Sequence, residues 1–551
     1  MKMLLKKSSS LAALLFLAGC AVAPSQEKTT DVPQPAPEQN DGCVARFDEG
    51  RWLVERYPSK ALVVKDNIEW LKSGRVPGYA VANVVKWLEL KGEDMSEFRR
   101  THTVAAEPPM KPFAKDFRLG YMLDISRSKV PTLEMLKTMV DVLAAAGFAE
   151  FQLYTENTFA YKGHEEAWRD WSPVTPEDVR ALDAYAWEKG VKLIANQNSF
   201  GHLEKWLMHA KYRDLLAETP NGYRVEHPKL YNPNPCAICP TDPKSLEFLA
   251  DLYDQLLPNF SHSAEINVGC DEVWDIFDRN GRSAKVAAEI GVPNLYMKHL
   301  LNVNSLVAKR GKRMAFWADM VLRDPELIAK LPAGVNALQW GYGSERSTAG
   351  YTAEFEGRCQ ALRRRGISYT VCPSTLTYKG ALFDLPEAFG NIRIAAESAA
   401  KFGAEGLLLT EWGDGGHANA FLSSLVQIVY TGLLCRNKPH DEASVIAKVN
   451  EIADAKIGAS LVALWSTRPA CREKPDLAAA RRALDAARRE SGTAPGWVRN
   501  GLATTDLHLR VAEARAANKP LPEGLRDSYR RLWLEANRPG GFEFSAKSLK
   551  Y

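Results

Sequence analysis

The sequence has little net charge, and long apolar runs are scarce. Its 71 Lys and Arg residues against 67 Asp and Glu leave a net charge of +4 over 551 residues. Such a balance gives no reason to expect nucleic acid or an acidic partner. The N-terminus begins with a short apolar run, and no segment after it is apolar enough to cross a membrane. The first strand-like run is not followed by a Gly-rich phosphate loop, which argues against a nucleotide-binding open sheet.

Cysteine is also scarce, with nine residues in the chain. Cys236 and Cys239 have the spacing of half a zinc site, but no second Cys or His pair lies at zinc-finger spacing. We therefore expect no metal. Two alternatives stay open for this pair, a disulfide or two free loop thiols. Cys270 and Cys372 lie in strand-like runs and are predicted to be buried.

The N-terminus has the features of a targeting segment. A basic start precedes an apolar run over residues 11–17, which is far too short to span a bilayer. The run ends in Leu17-Ala18-Gly19-Cys20, which resembles the lipobox of bacterial lipoproteins, in which the Cys is lipidated. This resemblance implies a signal peptide over residues 1–20, lipidation at Cys20, and attachment to a bacterial membrane in the cell envelope, at the outer membrane or the periplasmic face.

Composition divides the rest of the chain into four parts. Residues 21–42 are rich in Pro, Gln, Glu and Ala and predict a disordered tether. Residues 43–112 mix short strand-like and helix-like pieces and predict a small α+β accessory domain, ended by a Pro-rich linker. Residues 113–437 alternate strand and helix patterns, and residues 438–551 predict a helical C-terminal region.

The alternating part predicts a (β/α)₈ TIM barrel, an α/β fold with eight strands each followed by a helical pattern. A doubly wound open sheet is the alternative. The predicted strands are Arg118–Ile125, Glu150–Thr155, Lys192–Asn196, Glu265–Gly269, Arg313–Ala318, Val335–Gln339, Ser368–Cys372 and Gly406–Thr410. The predicted helices between them include Thr132–Ala145, Pro176–Lys189, Lys244–Leu257, Tyr296–Arg310 and Asn391–Phe402.

The C-terminal ends of these strands are rich in carboxylates and aromatic side chains. The chemistry of such barrels lies at this rim. The apolar face of a pyranose stacks on indole rings, while its hydroxyls need charged or amide partners, so the rim suits a sugar. The rim residues include Asp124, Arg127, Tyr154, Glu156, Asn198, His202, Asp271, Glu272, Trp317, Asp319, Trp340, Tyr342, Tyr378, Glu411, Trp412 and Asp414.

Asp271 and Glu272 follow the fourth predicted strand directly. Adjacent residues at a strand end point to opposite sides, so one carboxylate can reach a site while the other is held differently. Charged side chains at the end of an apolar strand are costly unless they are paired or used. A cap of the following helix by Asp271 is the structural alternative.

Four motifs in barrel order resemble glycoside hydrolase family 20, the β-N-acetylhexosaminidases. Gly269-Cys270-Asp271-Glu272 is similar to that family's Gly-Gly-Asp-Glu motif. The others are Phe200-Gly201-His202, Leu123-Asp124-Ile125-Ser126-Arg127 and Trp412-Gly413-Asp414. Cys270 stands where the family has Gly, and Leu119 stands where it usually has Arg, with Arg118 one residue early. These departures indicate a divergent branch, in which Arg127 serves instead.

The resemblance implies an exo-acting hydrolase that removes terminal β-linked N-acetylhexosamine by substrate-assisted retaining catalysis, without a cofactor. Most retaining glycosidases need a second carboxylate as nucleophile, and the seventh strand has none. In the family the acetamido oxygen of the substrate attacks instead. Glu272 would be the general acid, and Asp271 would hold the acetamido N–H.

Further roles follow from the same resemblance. His202 and Glu156 match positions that form a relay toward the catalytic Glu. Trp317, Trp340 and Trp412 would wall the pocket. The other expected substrate contacts are Arg127, Asp319, Tyr378 and Asp414, with Glu411 competing for the role of Asp414.

Two other functions stay open at this point. One is a glycosidase of other specificity that works by double displacement, with Glu411 as nucleophile. The other is a non-catalytic surface lipoprotein that binds glycans through the Trp-lined pocket. In every case the expected partners are a glycan and, through the lipid anchor, a membrane.

Overall fold

The computed structural model describes residues 110–217, 236–344, 351–380, 382–469 and 473–548, with 45–48, 51–54, 92–101 and a few single positions before them. The predicted signal peptide, the lipidation site Cys20 and the tether lie outside the described residues. Most of the predicted accessory domain does too. Within it, strands β1 (Ala45–Asp48) and β2 (Arg51–Val54) pair antiparallel. None of the helices in the described part combines the length and hydropathy that a membrane span requires.

Eight parallel strands close into a barrel in which sequence neighbours pair and the last strand pairs with the first. This confirms the predicted (β/α)₈ fold and rules out the open sheet. The strands are β3 (Arg118–Asp124), β4 (Glu150–Tyr154), β5 (Lys192–Asn196), β6 (Glu265–Asn267), β7 (Arg313–Trp317), β8 (Asn336–Trp340), β9 (Ser368–Cys372) and β10 (Gly406–Glu411).

Helices surround the barrel and continue after it. Those of the barrel are Leu133–Ala145, Glu165–Trp168, Pro176–Glu188, Glu204–Leu207, Pro243–Leu256, Ala284–Ile290, Val292–Ala308, Pro325–Ile328, Tyr351–Arg364, Leu385–Phe402 and Leu425–Cys435. The C-terminal helices are Glu442–Ala453, Gly458–Trp465, Leu477–Glu490, Gly496–Ala516, Leu525–Ala536 and Phe542–Ser548, as the helical C-terminal prediction expects. Before the barrel lies Ser96–Thr101.

Strand alternation sorts the side chains into two cores. Inside the barrel, Met122, Leu338, Cys372 and Leu408 pack with aromatic rings of the rim. Outside it, Tyr121, Phe151, Ile266 and Leu407 pack against the surrounding helices. Because successive residues of a strand face opposite sides, this register decides which strand-end residues can reach the barrel mouth.

An ion-pair network closes the N-terminal end of the barrel. Arg118 binds Glu150 at 2.7 Å and Glu265 at 2.8 Å, and it also contacts Glu405. Arg313 binds Glu405 at 2.6 Å. Arg118 thus lies at the end of the barrel opposite to the strand-end carboxylates and takes no part in their site.

Candidate active site

The loop after β6 is held in an unusual backbone conformation. Gly269, Cys270 and Glu272 have φ angles of +68°, +71° and +52°, in the left-handed region that L side chains rarely adopt. A Cβ at Gly269 would lie 1.6 Å from Asn198 Oδ1, so only glycine fits there. Non-glycine residues in such conformations cost about 1–3 kcal/mol each and cluster at functional sites.

Asp271 is not a helix cap. The turn that follows, Asp275–Phe277, has no side-chain cap bond at its start. Asp271 is 5% exposed, and its Oδ1 has no hydrogen-bond partner in the described part of the chain. The alternative role of Asp271 as a helix cap is therefore wrong, and its carboxylate is available to a ligand.

His202 lies between the two carboxylates. Its Nε2 is 3.3 Å from Asp271 Oδ2 and 3.5 Å from Glu272 Oε2, at ion-pair distances but without hydrogen-bond geometry. Burial lowers the pKa of His202, but the Asp271 carboxylate outweighs burial and raises it to about 10. Burial raises the pKa of Glu272 to about 7, against the opposing effect of His202. At neutral pH, Glu272 can therefore hold a proton beside a charged imidazole.

Asp319 lies behind the Glu272 backbone. The Glu272 N–H donates to Asp319 Oδ2 at 3.3 Å, while Oδ1 of the same carboxyl has no hydrogen-bond partner among the residues that the structure describes. Burial, with the nearby Asp271 charge, raises the pKa of Asp319 to about 6. The residue predicted to contact substrate thus holds the backbone of Glu272 with one oxygen and keeps the other for a ligand.

Arg127 is fixed by two carboxylates and two rings. It binds Asp124 at 3.0 Å and Glu156 at 3.1 Å, and its guanidinium lies 4.7 Å from the centre of the Tyr154 ring and 5.4 Å from that of Trp412. Such bonding fixes the orientation of the guanidinium. Arg127 therefore lies at the rim of the barrel with a fixed orientation, and its contact with a substrate stays a prediction.

Glu156, the predicted relay partner of His202, is held directly by two other cations. Glu156 binds Arg127 and, at 3.2 Å, Lys205, and among the described residues no hydrogen bond or ion pair joins it to His202. Although burial opposes ionisation, the charges of Arg127, Lys205 and His202 lower the pKa of Glu156 to about 2. Sequence reasoning missed Lys205, although its position three residues after His202 placed it in the same loop.

Aromatic rings wall the space above the barrel core. Trp317 is fully buried with its Nε1 unpartnered, and its ring centre lies 5.4 Å from that of Trp412. Trp340 stacks on Tyr342 at 5.3 Å, and the Tyr342 hydroxyl accepts a hydrogen bond from Trp412 Nε1 at 2.7 Å. Tyr378 packs against the same cluster. The three predicted Trp residues and Tyr378 therefore lie together.

The structure separates Asp414 from its competitor Glu411. Glu411 faces the outer core, where it contacts the hydroxyls of Tyr121 and Ser424 and His417 Nε2 at 2.7 Å. Asp414 lies in the loop above β10, where burial raises its pKa against the effect of the nearby Arg127. Glu411 is thus turned away from the barrel mouth, while the contact of Asp414 with a sugar hydroxyl stays a prediction.

Within the described residues, several buried polar atoms at or after the ends of β5, β6 and β7 lack hydrogen-bond partners. They include the Oδ1 atoms of Asn198, Asp271 and Asp319 and the Nε1 of Trp317. Buried polar groups are normally satisfied, so a cluster of exceptions needs an explanation. A polar ligand that donates to the three oxygens and accepts from the indole would provide one.

The cysteines bring no metal chemistry to the site. Cys236 and Cys239 are both buried thiols that form no disulfide, which decides between the two alternatives against a disulfide. Within the described ranges, no group of three or more His, Cys, Asp or Glu side chains could hold a metal ion.

Comparison with known proteins agrees with this site. Residues 116–354 match the family described as glycosyl hydrolase family 20, catalytic domain. The matched segment contains β3 to β8 and the Asp271–Glu272 loop. This segment is therefore similar to the catalytic domain of that family.

Two curated relatives share part of the chain. Hexosaminidase D of Homo sapiens is 22% identical over 226 residues, which cover 40% of this chain and 44% of the relative. Hexosaminidase D of Bos taurus is 23% identical over 262 residues, 46% of this chain and 69% of the relative. The chain thus spans less than half the length of the human relative.

Two solved structures are similar to the chain at low identity. The exo-β-N-acetylglucosaminidase of Vibrio harveyi with bound N-acetylglucosamine is 16% identical, with a TM-score of 0.47 over 61% of this chain and 58% of that one. The β-N-acetylhexosaminidase of Bacteroides fragilis is also 16% identical, with a TM-score of 0.44 over 61% of this chain and 66% of that one.

Proposed function

We propose that the protein is an exo-acting glycoside hydrolase that removes terminal β-linked N-acetylhexosamine by substrate-assisted retaining catalysis. The observation that carries this proposal is the Asp271–Glu272 pair after β6, held beside His202. The residues that follow β9, from Pro373 to Tyr378, include no carboxylate. A nucleophile that arrives with the substrate fits this arrangement, and the matches to a hexosaminidase family and to Hexosaminidase D support it.

Glu272 is the proposed general acid and base. With a pKa of about 7 it can give its proton to the glycosidic oxygen as the bond from that oxygen to the anomeric carbon breaks. The acetamido carbonyl oxygen of the same sugar forms the new bond to the anomeric carbon, which gives a cyclic oxazolinium ion. The deprotonated Glu272 then takes a proton from water, the water oxygen opens the ring, and the β configuration is retained.

Asp271 is the proposed partner of the acetamido group. Its unpartnered Oδ1 can accept from the acetamido N–H, which orients the carbonyl oxygen toward the anomeric carbon and stabilises the cation. The charged His202 beside Oδ2 keeps Asp271 ionised for this role.

The remaining predicted residues would bind the sugar itself. Trp317, Trp340 and Trp412 would cover its apolar face and enclose the acetamido methyl group. Arg127 and Asp414 would bind its hydroxyls, and Tyr378 would donate to the acetamido oxygen. Asp319 would contact the substrate through Oδ1 while it holds the Glu272 backbone through Oδ2.

The test is Glu272→Gln with Glu134→Gln as the matched control, because the Glu134 side chain is 81% exposed on an outer helix. Loss of the acid should lower kcat on an alkyl N-acetyl-β-glucosaminide by about 10²–10⁴-fold, since a poor leaving group needs the proton. Glu134→Gln should leave it unchanged. Equal turnover by the wild type and Glu272→Gln would reject the assignment.

The non-catalytic glycan-binding alternative predicts a different result in the same assay. The wild type would then bind chitobiose, measured by calorimetry, without releasing any sugar over days. The double-displacement alternative is less well supported, because its proposed nucleophile Glu411 faces the outer core.

We also propose that the protein is lipid-anchored through Cys20, on the strength of the Leu17-Ala18-Gly19-Cys20 motif alone. Expression of wild type and Cys20→Ala in a bacterium that processes lipoproteins tests this. The wild type should sediment with membranes and carry a diacylglyceryl-modified Cys20 by mass spectrometry, while the variant should not. An unmodified wild-type Cys20 would contradict the proposal.

A further inference from the structure

The chain returns to the barrel mouth near its C-terminal end. Residues 537–545, which we name the C-terminal clasp, follow the helix Leu525–Ala536 and lie against the loops after β3 and β4. The Arg538 N–H donates to the Val130 carbonyl at 2.8 Å, and the Thr132 N–H donates to the Ala536 carbonyl at 3.0 Å. These bonds join segments about 400 residues apart by backbone contacts, as neighbouring strands are joined.

Two adjacent glycines bring the clasp into backbone contact with both loops. A Cβ on Gly541, whose φ is +78°, would lie 1.6 Å from the Ser128 carbonyl oxygen. A Cβ on Gly540 would lie 2.3 Å from the Trp171 carbonyl carbon. No side chain fits in either place, so the approach is as close as backbone allows.

The Arg538 side chain fixes the second loop. It donates to the Pro173 carbonyl at 2.9 Å and to Asp178 Oδ2 at 2.7 Å, and the Gly540 N–H donates to Ser172 Oγ at 3.0 Å. A guanidinium that binds two acceptors in a planar fork fixes direction as well as distance.

The loops that the C-terminal clasp contacts carry residues of the candidate active site. Ser128 is the neighbour of Arg127, and its Oγ lies 2.9 Å from Ser545 Oγ. The same Oγ accepts from the His417 N–H at 3.0 Å, which joins it to the β10 loop that carries Asp414.

A second connection runs through Trp171. The Lys205 ammonium lies 4.2 Å from the centre of the Trp171 ring and binds Glu156 at 3.2 Å, which in turn binds Arg127. The clasp thus contacts or adjoins the loops after β3, β4 and β10.

We infer that the C-terminal clasp is a positioning element of the active site, which holds Arg127 and Asp414 in register with the carboxylates after β6. This inference rests on the proposed function, in which these two residues bind the hydroxyls of the sugar. The clasp itself touches no substrate. The C-terminal region is then part of the enzyme's specificity apparatus, although it lies outside the barrel.

The test compares Arg538→Ala, Arg538→Lys and Ser545→Ala with Arg481→Ala in the full chain. Arg481 is a matched control, because its partly buried guanidinium also binds two acceptors, here Asp506 and Glu513, but within the C-terminal helices. Two readouts are needed: hydrogen exchange of peptides covering residues 122–131 and 168–176, and KM and kcat on an aryl N-acetyl-β-hexosaminide.

In Arg538→Ala, both peptides should exchange about tenfold faster, while the β7 peptide stays protected. KM should rise about tenfold with kcat changed much less, because loosened hydroxyl contacts weaken ground-state and transition-state binding alike. Arg538→Lys, which keeps one donor group, and Ser545→Ala should lie between it and the wild type. Arg481→Ala should change neither readout.

Unchanged exchange of both peptides in Arg538→Ala, or changes equal to those in Arg481→Ala, would overturn the inference. If the wild type cleaves no hexosaminide, the proposed function fails, and the exchange readout still decides whether the clasp orders the loops.

Discussion

Glu272 is partly buried beside one cation and three carboxylates, and these neighbours shift its pKa in opposite directions. Burial raises the pKa to about 7, His202 lowers it, and Asp271, Asp319 and Asp414 raise it. The acid must be protonated to act, so activity should fall as the pH rises through the pKa of Glu272. The fall in activity at high pH is the alkaline limb of the pH profile. The effect of each neighbour can therefore be tested by the direction in which its substitution shifts this limb.

Asp319→Asn and His202→Gln should move the alkaline limb of kcat/KM in opposite directions. Loss of the Asp319 charge removes a repulsion, so the pKa of Glu272 falls and the limb moves to lower pH. Loss of the His202 charge removes an attraction, so the limb moves to higher pH. The pH profile of kcat/KM on an aryl substrate measures both.

Asp116→Asn, at an exposed position before β3, is the control and should leave the limb in place. Shifts of the same sign in Asp319→Asn and His202→Gln would contradict this electrostatic account.

The places of single site residues could be predicted from the sequence mainly for those that lie in the four motifs. Asp271, Glu272, His202 and Arg127 could be assigned to the rim from the sequence, because each lies in the loop that follows a barrel strand. The partner of Glu156 could not be predicted, since it depends on Lys205 from another loop. Glu411 and Asp414 stayed in competition because Leu407, Leu408 and Leu409 are all apolar and hide which face of β10 points inward.

At the scale of elements, the loop after β6 depends on Gly269. Gly269→Ala should lower kcat/KM by about 10²-fold, because the new Cβ would displace Asn198 and shift the carboxylates by a fraction of an ångström or more. The control is Gly311→Ala, where φ is +69° and nothing lies within 4 Å. Both variants carry the backbone cost of a left-handed residue, of about 1–2 kcal/mol.

Activity per folded molecule, with the folded fraction taken from circular dichroism, separates the two effects. Gly311→Ala should keep normal kinetics. Equal activity of the two variants would show that the Asn198 contact does not position the carboxylates.

All eight barrel strands were predicted to within about two residues, because short apolar runs between turn signals identify buried parallel strands. Errors fell at the ends. The strand predicted to reach Gly269 ends at Asn267, where the left-handed turn begins. The helix predicted from Asn391 begins at Leu385, because the Asp384 side chain accepts from the Glu387 N–H and Pro386 suits the first turn.

At the scale of the whole molecule, the long-range contacts were beyond prediction from one sequence. Arg118 and Glu405 are 287 residues apart in the chain but meet at the closed end of the barrel. The clasp joins the last helices to the first two loops of the barrel. Local propensity and periodicity carry no information about such pairs, because both are properties of short windows.

The two ends of the barrel therefore differ in the side chains that fill them. Ion pairs fill the N-terminal end, so a ligand has access from the C-terminal end, where carboxylates, indoles and unpartnered polar atoms meet. Every part of the proposed reaction lies at that end. The central claim of the proposed reaction is that the nucleophile is the acetamido oxygen of the substrate itself.

The most direct measurement is kcat/KM of the wild type on two aryl β-glucosides that differ only at C2, one with an acetamido group and one with a hydroxyl. The account predicts cleavage of the acetamido substrate and a rate for the hydroxyl substrate lower by about 10³-fold or more, because the attacking oxygen and its orientation are lost together. Comparable rates on the two substrates would contradict it and would require a protein nucleophile.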